Sequence, residues 1–136
     1  MASLSDFDQL LFEDNETNRN RMMEAIHFFD EVCNSRYFAN ATMVLFLNKK
    51  DLFEDKIKYV SIGDVDVFRD EFLGPTDYES GIEFLKDKFL DRKASRHDQE
   101  VYTHITCALD SHNFRLVFAC CKDLIFRVCY FSNGFL

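Results

Sequence analysis

Asn48, Lys49 and Asp51 follow directly on the apolar run Met43–Leu47, and each brings a different capacity. A carboxylate such as Asp51 offers two acceptor oxygens, and a guanine edge presents two adjacent donors, its ring N1–H and its 2-amino group. Adenine has neither donor, so against it a buried Asp51 would stay unpaired, at heavy cost. The Asn48 amide can donate to a purine N7 and also tie neighbouring loops together. The Lys49 stem can lie along a base face with its ammonium in water. Lys50 completes the turn. The set reads as a guanine pocket, although charged residues behind a strand also suit a solvated turn.

A second segment, Thr106-Cys107-Ala108, ends the β-branched and aromatic run Val101–Thr106. Its small residues permit close backbone approach, and an N–H of the Cys107–Ala108 turn could donate to guanine O6, which adenine replaces with a donor. Alone, the segment is equally a plain strand-to-helix turn. Two adjacent parallel strands would bring both segments to one place.

The elements that must do this positioning are legible from periodicity. Met43–Leu47 is apolar throughout, as a strand buried on both faces would be. Met22, Ile26, Phe29 and Cys33 recur at helical spacing, widened by Met23 and Phe28, and predict a helix from about Asn20 to Ser35. Leu52–Lys56 reads as a short helical turn and Tyr59–Leu73 as irregular. Thr76-x-x-Glu79 forms a capping box that opens a helix with Ile82, Leu85 and Phe89 on one face.

Asp110 or Ser111 should cap the last helix. Its core stripe is Phe114, Val117, Phe118, Cys121, Ile125 and Val128. Leu116, Ala119, Cys120, Leu124 and Phe126 make it apolar nearly all round, so it should be sandwiched between layers. Gly134 is placed to end it, leaving Phe135 and Leu136 as an apolar tip. Ala2-Ser3-Leu4 is a strand stub, Glu13–Asn20 a polar loop, and the strands lie too far apart for hairpins. The order is βαβ with a parallel sheet, whose ligands gather at the carboxyl ends of the strands.

At 136 residues the chain is one domain at most, and its net charge of −8 argues against nucleic acid and anionic membrane surfaces as partners. Five cysteines without a C-x-x-C indicate neither a zinc site nor a disulfide framework; reduced thiols and a cytoplasmic setting are the economical reading. No run reaches transmembrane length, and there is no signal peptide or amino-terminal lipidation motif. His27, His97, His104 and His112 are isolated and suit surface or packing roles better than catalysis.

With both segments in view, the chain resembles the carboxyl-terminal part of the Ras-like domain of heterotrimeric G-protein α subunits. Phe46-Leu47-Asn48-Lys49-Lys50-Asp51-Leu52 matches that family's guanine motif without a change. Thr106-Cys107-Ala108-Leu109-Asp110 resembles its Thr-Cys-Ala-Thr-Asp signature, with Leu109 departing from the family's Thr. Leu4-Ser5-Asp6-Phe7-Asp8-Gln9 is similar to the end of its fourth strand, Asn20-Arg21-Met22 to its third helix, and Asn113–Leu136 to its last.

The resemblance implies an incomplete α/β fold, the carboxyl-terminal half of a P-loop-NTPase-type (Ras-like) parallel sheet with flanking helices, over residues 1–136. It implies base contacts from Asn48, Lys49, Lys50 and Asp51, with Thr106, Cys107 and Ala108 facing the same nucleotide. It further implies GTP or GDP as cofactor, and a G protein-coupled receptor gripping the last helix through Ile125, Asn133, Gly134, Phe135 and Leu136. Displacing that helix would loosen the Thr106–Ala108 turn and release GDP. In the family, some members carry at the position of Asn133 the cysteine that pertussis toxin modifies, so that modification is not expected here. The implied location is the inner face of the plasma membrane.

No G-x-x-x-x-G-K-[ST] occurs in the sequence, nor the Asp-x-x-Gly switch of the family. The expectations that follow are no magnesium ligands in this chain, weak GTP binding, no hydrolysis, doubtful βγ binding and marginal stability. Two functional readings result. The chain is part of a GTP-dependent signal transducer, or it is a non-enzymatic truncated form that competes for receptor.

Overall fold

The computed structural model describes residues 1–11, 19–93, 99–107 and 109–132, with backbone alone at Phe114 and 127–132. Its centre is a parallel three-stranded sheet of β1 (Ala2–Ser3), β4 (Met43–Asn48) and β5 (Val101–Ile105), in the order β1-β4-β5. Met43 pairs with Val101 and Leu47 with Ile105, so both long strands end at the same level. The stub at Ala2–Ser3 pairs with Leu47 and Asn48. On that edge Met43–Phe46 have no strand partner among the described residues.

A small antiparallel pair, β2 (Leu10–Leu11) with β3 (Arg19–Asn20), stands outside this sheet. It corrects the expectation that no hairpin forms. Two-residue strands carry no detectable alternation, and tertiary capping rather than β-propensity fixes the site. Asn20 is 3% exposed; its amide donates to Phe7 O at 2.7 Å and its oxygen accepts from Met23 N–H at 3.1 Å. The same contact caps α1 (Arg21–Cys33), whose Met22, Ile26, Phe29 and Cys33 are all buried, as the spacing required.

β4 leads into α2 (Lys50–Lys56), followed by turns and a single 3-10 turn at Ile62–Asp64, and then α3 (Tyr78–Leu90). The capping box shifts by one residue: Asp77, not Thr76, caps α3 by accepting from Ser80 N–H at 2.8 Å. The Thr76 hydroxyl instead pairs with Ser61 at 2.9 Å. Irregular as it is, the Tyr59–Leu73 segment buries Ile62, Phe68 and Phe72. Phe84 meets Phe68 and Phe72 edge to face, at 5.7 and 5.1 Å between centroids.

The core lies on the side of the sheet that carries Leu45 and Leu47, under α1, α2 and α3. Only this face of β4 is buried, contrary to the two-faced burial expected of an all-apolar run. Val44, Phe46 and Asn48 on the other face line a cavity of about 490 Å³, together with Val117, Phe118 and Cys121 of α4 (Ser111–Ser132). α4 is not sandwiched: Leu116, Phe118, Ile125 and Phe126 are 54%, 64%, 61% and 50% exposed. An all-round apolar helix requires cover on several sides, and the described residues supply it on one. No described helix is long and apolar enough to cross a membrane.

Candidate functional site

The two sequence-predicted segments meet at the carboxyl end of the sheet. Beyond the last ladder pair, Thr106 N–H donates to Leu47 O at 2.8 Å and Lys50 N–H donates to Thr106 O at 3.1 Å. These bonds carry the parallel pairing one step past the strands, so the Asn48–Asp51 turn and the Thr106–Cys107 turn run side by side. The Thr106 hydroxyl then donates to Asn48 Oδ1 at 3.1 Å. That bond sets which way the Asn48 amide faces: its oxygen is taken, and its NH₂ is the end left for a ligand.

Lys49 adopts φ 61° and ψ 41°, the only non-glycine residue with positive φ among those described. For a residue with a Cβ this costs about 1–2 kcal/mol, and such strain concentrates at functional turns. The conformation turns the chain sharply from β4 into α2, where Phe53 N–H returns to Lys49 O at 3.0 Å. Phe53 is fully buried, against the Phe7 ring at 5.6 Å, and so anchors the turn from below. The Lys49 ammonium is not simply in water: it lies 3.9 Å from Asp6 Oδ1, on a side chain 48% exposed. Asp51, half-buried in the first turn of α2, makes no hydrogen bond or ion pair with a described residue. Its two oxygens are free acceptors, the chemistry a guanine edge requires.

Cys107 sits differently from its expected part. Its N–H donates to Asn113 Oδ1 at 3.2 Å, into the first turn of α4 rather than toward a ligand. Sequence reasoning missed Asn113, because a side chain reaching back across a helix start leaves no periodic trace. Asp110 is the cap of α4, its Oδ1 accepting from His112 and Asn113 N–H, both at 3.0 Å. The Asn113 N–H holds the Asp110 carboxyl below its ordinary range against desolvation, and the His112 N–H adds to the lowering. The turn and the helix are thereby wired together through two side chains. Ala108 lies outside the described residues, as do Asn133, Gly134, Phe135 and Leu136. Ile125 is described and exposed, far along α4 from this turn.

A family model for the G-protein alpha subunit matches residues 1–125. The chain belongs to the G-protein α-subunit family. A relative, the guanine nucleotide-binding protein alpha-2 subunit of Dictyostelium discoideum, is 42% identical over 134 residues, 98% of this chain. The chain spans 35% of that relative's length. As in a Ras-like fold, the sheet is parallel and flanked by helices, and the two segments singled out in the sequence are joined by the Thr106–Asn48 bond. Among the described residues of this G-protein α-subunit chain, no group of three or more His, Cys, Asp or Glu converges as a metal site.

Proposed function

We propose that this chain supplies the guanine-recognising half of a G-protein α subunit, a guanine-nucleotide-binding signal transducer coupling a seven-helix receptor to an intracellular effector. The observation that carries it is the junction of Asn48 with Thr106, which occupies the Asn48 oxygen and leaves its NH₂ for a ligand, in the same turn as Asp51. On this reading, Asp51 accepts from guanine N1–H and the 2-amino group, Asn48 donates to N7, and the Lys49 stem covers the base face. Lys50 and Thr106 hold the two turns together through their backbone bond. With Cys107 N–H engaged by Asn113, the donor to O6 falls to Ala108. GTP or GDP is the cofactor. Magnesium belongs to the phosphates, for which this chain carries no recognisable loop, so base contacts alone give weak binding and no hydrolysis.

The test is a titration of the labelled chain with GDP and ADP, followed by amide shifts. Saturable GDP shifts at Asn48–Asp51 and Thr106–Cys107, several-fold stronger than with ADP, are expected. Equal responses to the two nucleotides would overturn the reading.

The exposed apolar side chains of α4 favour a second part of the proposal, that this helix is presented to a receptor and can compete with an intact subunit. Receptor-stimulated nucleotide exchange by an intact α subunit should fall when this chain is added in excess. Unchanged exchange would remove the competing role.

A further inference from the structure

We infer that Asp6 is a positioning residue for Lys49, holding its side chain extended across the place where the purine lies; this rests on the guanine reading of the site.

β1 and β4 run parallel with Ser3 beside Asn48, so both strands end together and both chains turn at the same point. The β1 chain turns through the 3-10 segment Leu4–Asp6, the β4 chain through left-handed Lys49. Asp6 thus arrives next to Lys49 from a different part of the sequence. Its Oδ1 is oriented by two hydroxyls, accepting from Ser3 Oγ at 3.0 Å and Ser5 Oγ at 3.3 Å. The Lys49 ammonium faces that same oxygen at 3.9 Å, while Arg21 Nε stands 3.9 Å from Oδ2.

The carboxylate is therefore fixed before Lys49 reaches it. Ser5 is buried and the Asp6 side chain is 24% exposed, whereas the Lys49 side chain is 48% exposed. A fixed anion and a mobile cation make the anion the guide. A long lysine loses rotamer freedom when its head is held, and prior holding lowers the cost of ordering its stem on a ligand. Pairs this exposed carry modest energy, so the effect belongs in the pose of Lys49 and in a small affinity term.

Two measurements test this. In the free chain, ¹³Cε relaxation should show Lys49 more restricted than exposed lysines, and Asp6→Asn should abolish the difference. For nucleotide, a double-mutant cycle of Asp6→Asn with Lys49→Met is read by GDP affinity. Asp6→Asn should weaken GDP by about twofold to fivefold in the wild-type background and leave the Lys49→Met chain unchanged. Arg21→Gln, which removes the other partner, should leave GDP affinity unaltered.

An equal loss in both backgrounds, or Lys49 Cε mobility unmoved by Asp6→Asn, would overturn the assignment while the guanine reading stands. A wild-type chain that does not prefer GDP to ADP would overturn the guanine reading, and this role with it.

Discussion

The Thr106 hydroxyl donates to Asn48 Oδ1 at 3.1 Å, across a sequence separation of 58 residues. This bond joins two turns that are each unremarkable alone, and it fixes the orientation of the Asn48 amide, the group proposed to donate to N7. Thr106→Val removes the donor while keeping the shape. We expect a stability loss of about 1 kcal/mol and a reduced preference for GDP over ADP, because the Asn48 amide is released to rotate. Thr106→Ser should retain both. Denaturant titration and the paired nucleotide titrations check this.

Gly81 lies inside α3, where helix propensity alone favours alanine. A Cβ there would stand 2.8 Å from Phe53 Cζ and 3.2 Å from Ile62 Cδ1, both fully buried. Overpacking of this kind costs about 1–3 kcal/mol against a propensity gain of about 1 kcal/mol. Gly81→Ala should therefore destabilise the fold. A raised midpoint in urea would contradict the packing described around Phe53.

Asn20 joins the β3 turn, the Phe7 carbonyl and the first turn of α1. Asn20→Ala removes a cap and leaves a buried carbonyl unpaired, for a loss of about 2 kcal/mol. Asn20→Asp keeps the cap but places a carboxylate oxygen against the Phe7 carbonyl oxygen, so it should rescue little. Urea midpoints of the two variants decide between capping and the Phe7 bond as the larger contribution.

Lys56 Nζ donates to Asp8 Oδ1 and to Ser5 O, both at 2.7 Å. Partial burial raises the Asp8 carboxyl, but the hydrogen bonds from Lys56 and Gln9 and the Lys56 charge outweigh it, and the net direction is below 3.8. A depressed folded value means that the contribution is complete above the unfolded value and lost as pH falls through the folded one. Lys56→Met should cost about 1–2 kcal/mol at pH 7, and its deficit should shrink below about pH 4. A deficit independent of pH would show that the Asp8 pairing contributes nothing.

Much of this was legible in the sequence, for identifiable reasons. Met22, Ile26, Phe29 and Cys33 bury one helical stripe, and period alone placed them. The parallel order of Met43–Asn48 and Val101–Ile105 followed from the length of chain between them. The same logic failed where burial depends on a neighbour that sequence cannot see. Val44 and Phe46 are as apolar as Leu45 and Leu47, yet they face a cavity because α4 covers them only in part. At the candidate site, the placing of Asn48, Lys49, Asp51 and Thr106 on neighbouring strand ends is legible from the order of elements, and the two turns do lie side by side. Asp6 and Asn113 were not, since each acts through a single tertiary hydrogen-bonding or ionic contact that no local pattern encodes.

On the proposed reading, the Asp51 carboxylate, unpaired among the described residues, selects guanine. Asp51→Asn replaces two acceptors with one acceptor and one donor, which matches xanthine, whose C2 oxygen stands where guanine has its amino group. The most direct measurement is the ratio of GDP to xanthosine diphosphate affinity for the wild-type chain and for Asp51→Asn. A ratio above one that inverts on substitution is expected; a ratio unchanged by Asp51→Asn would contradict guanine selection by this carboxylate.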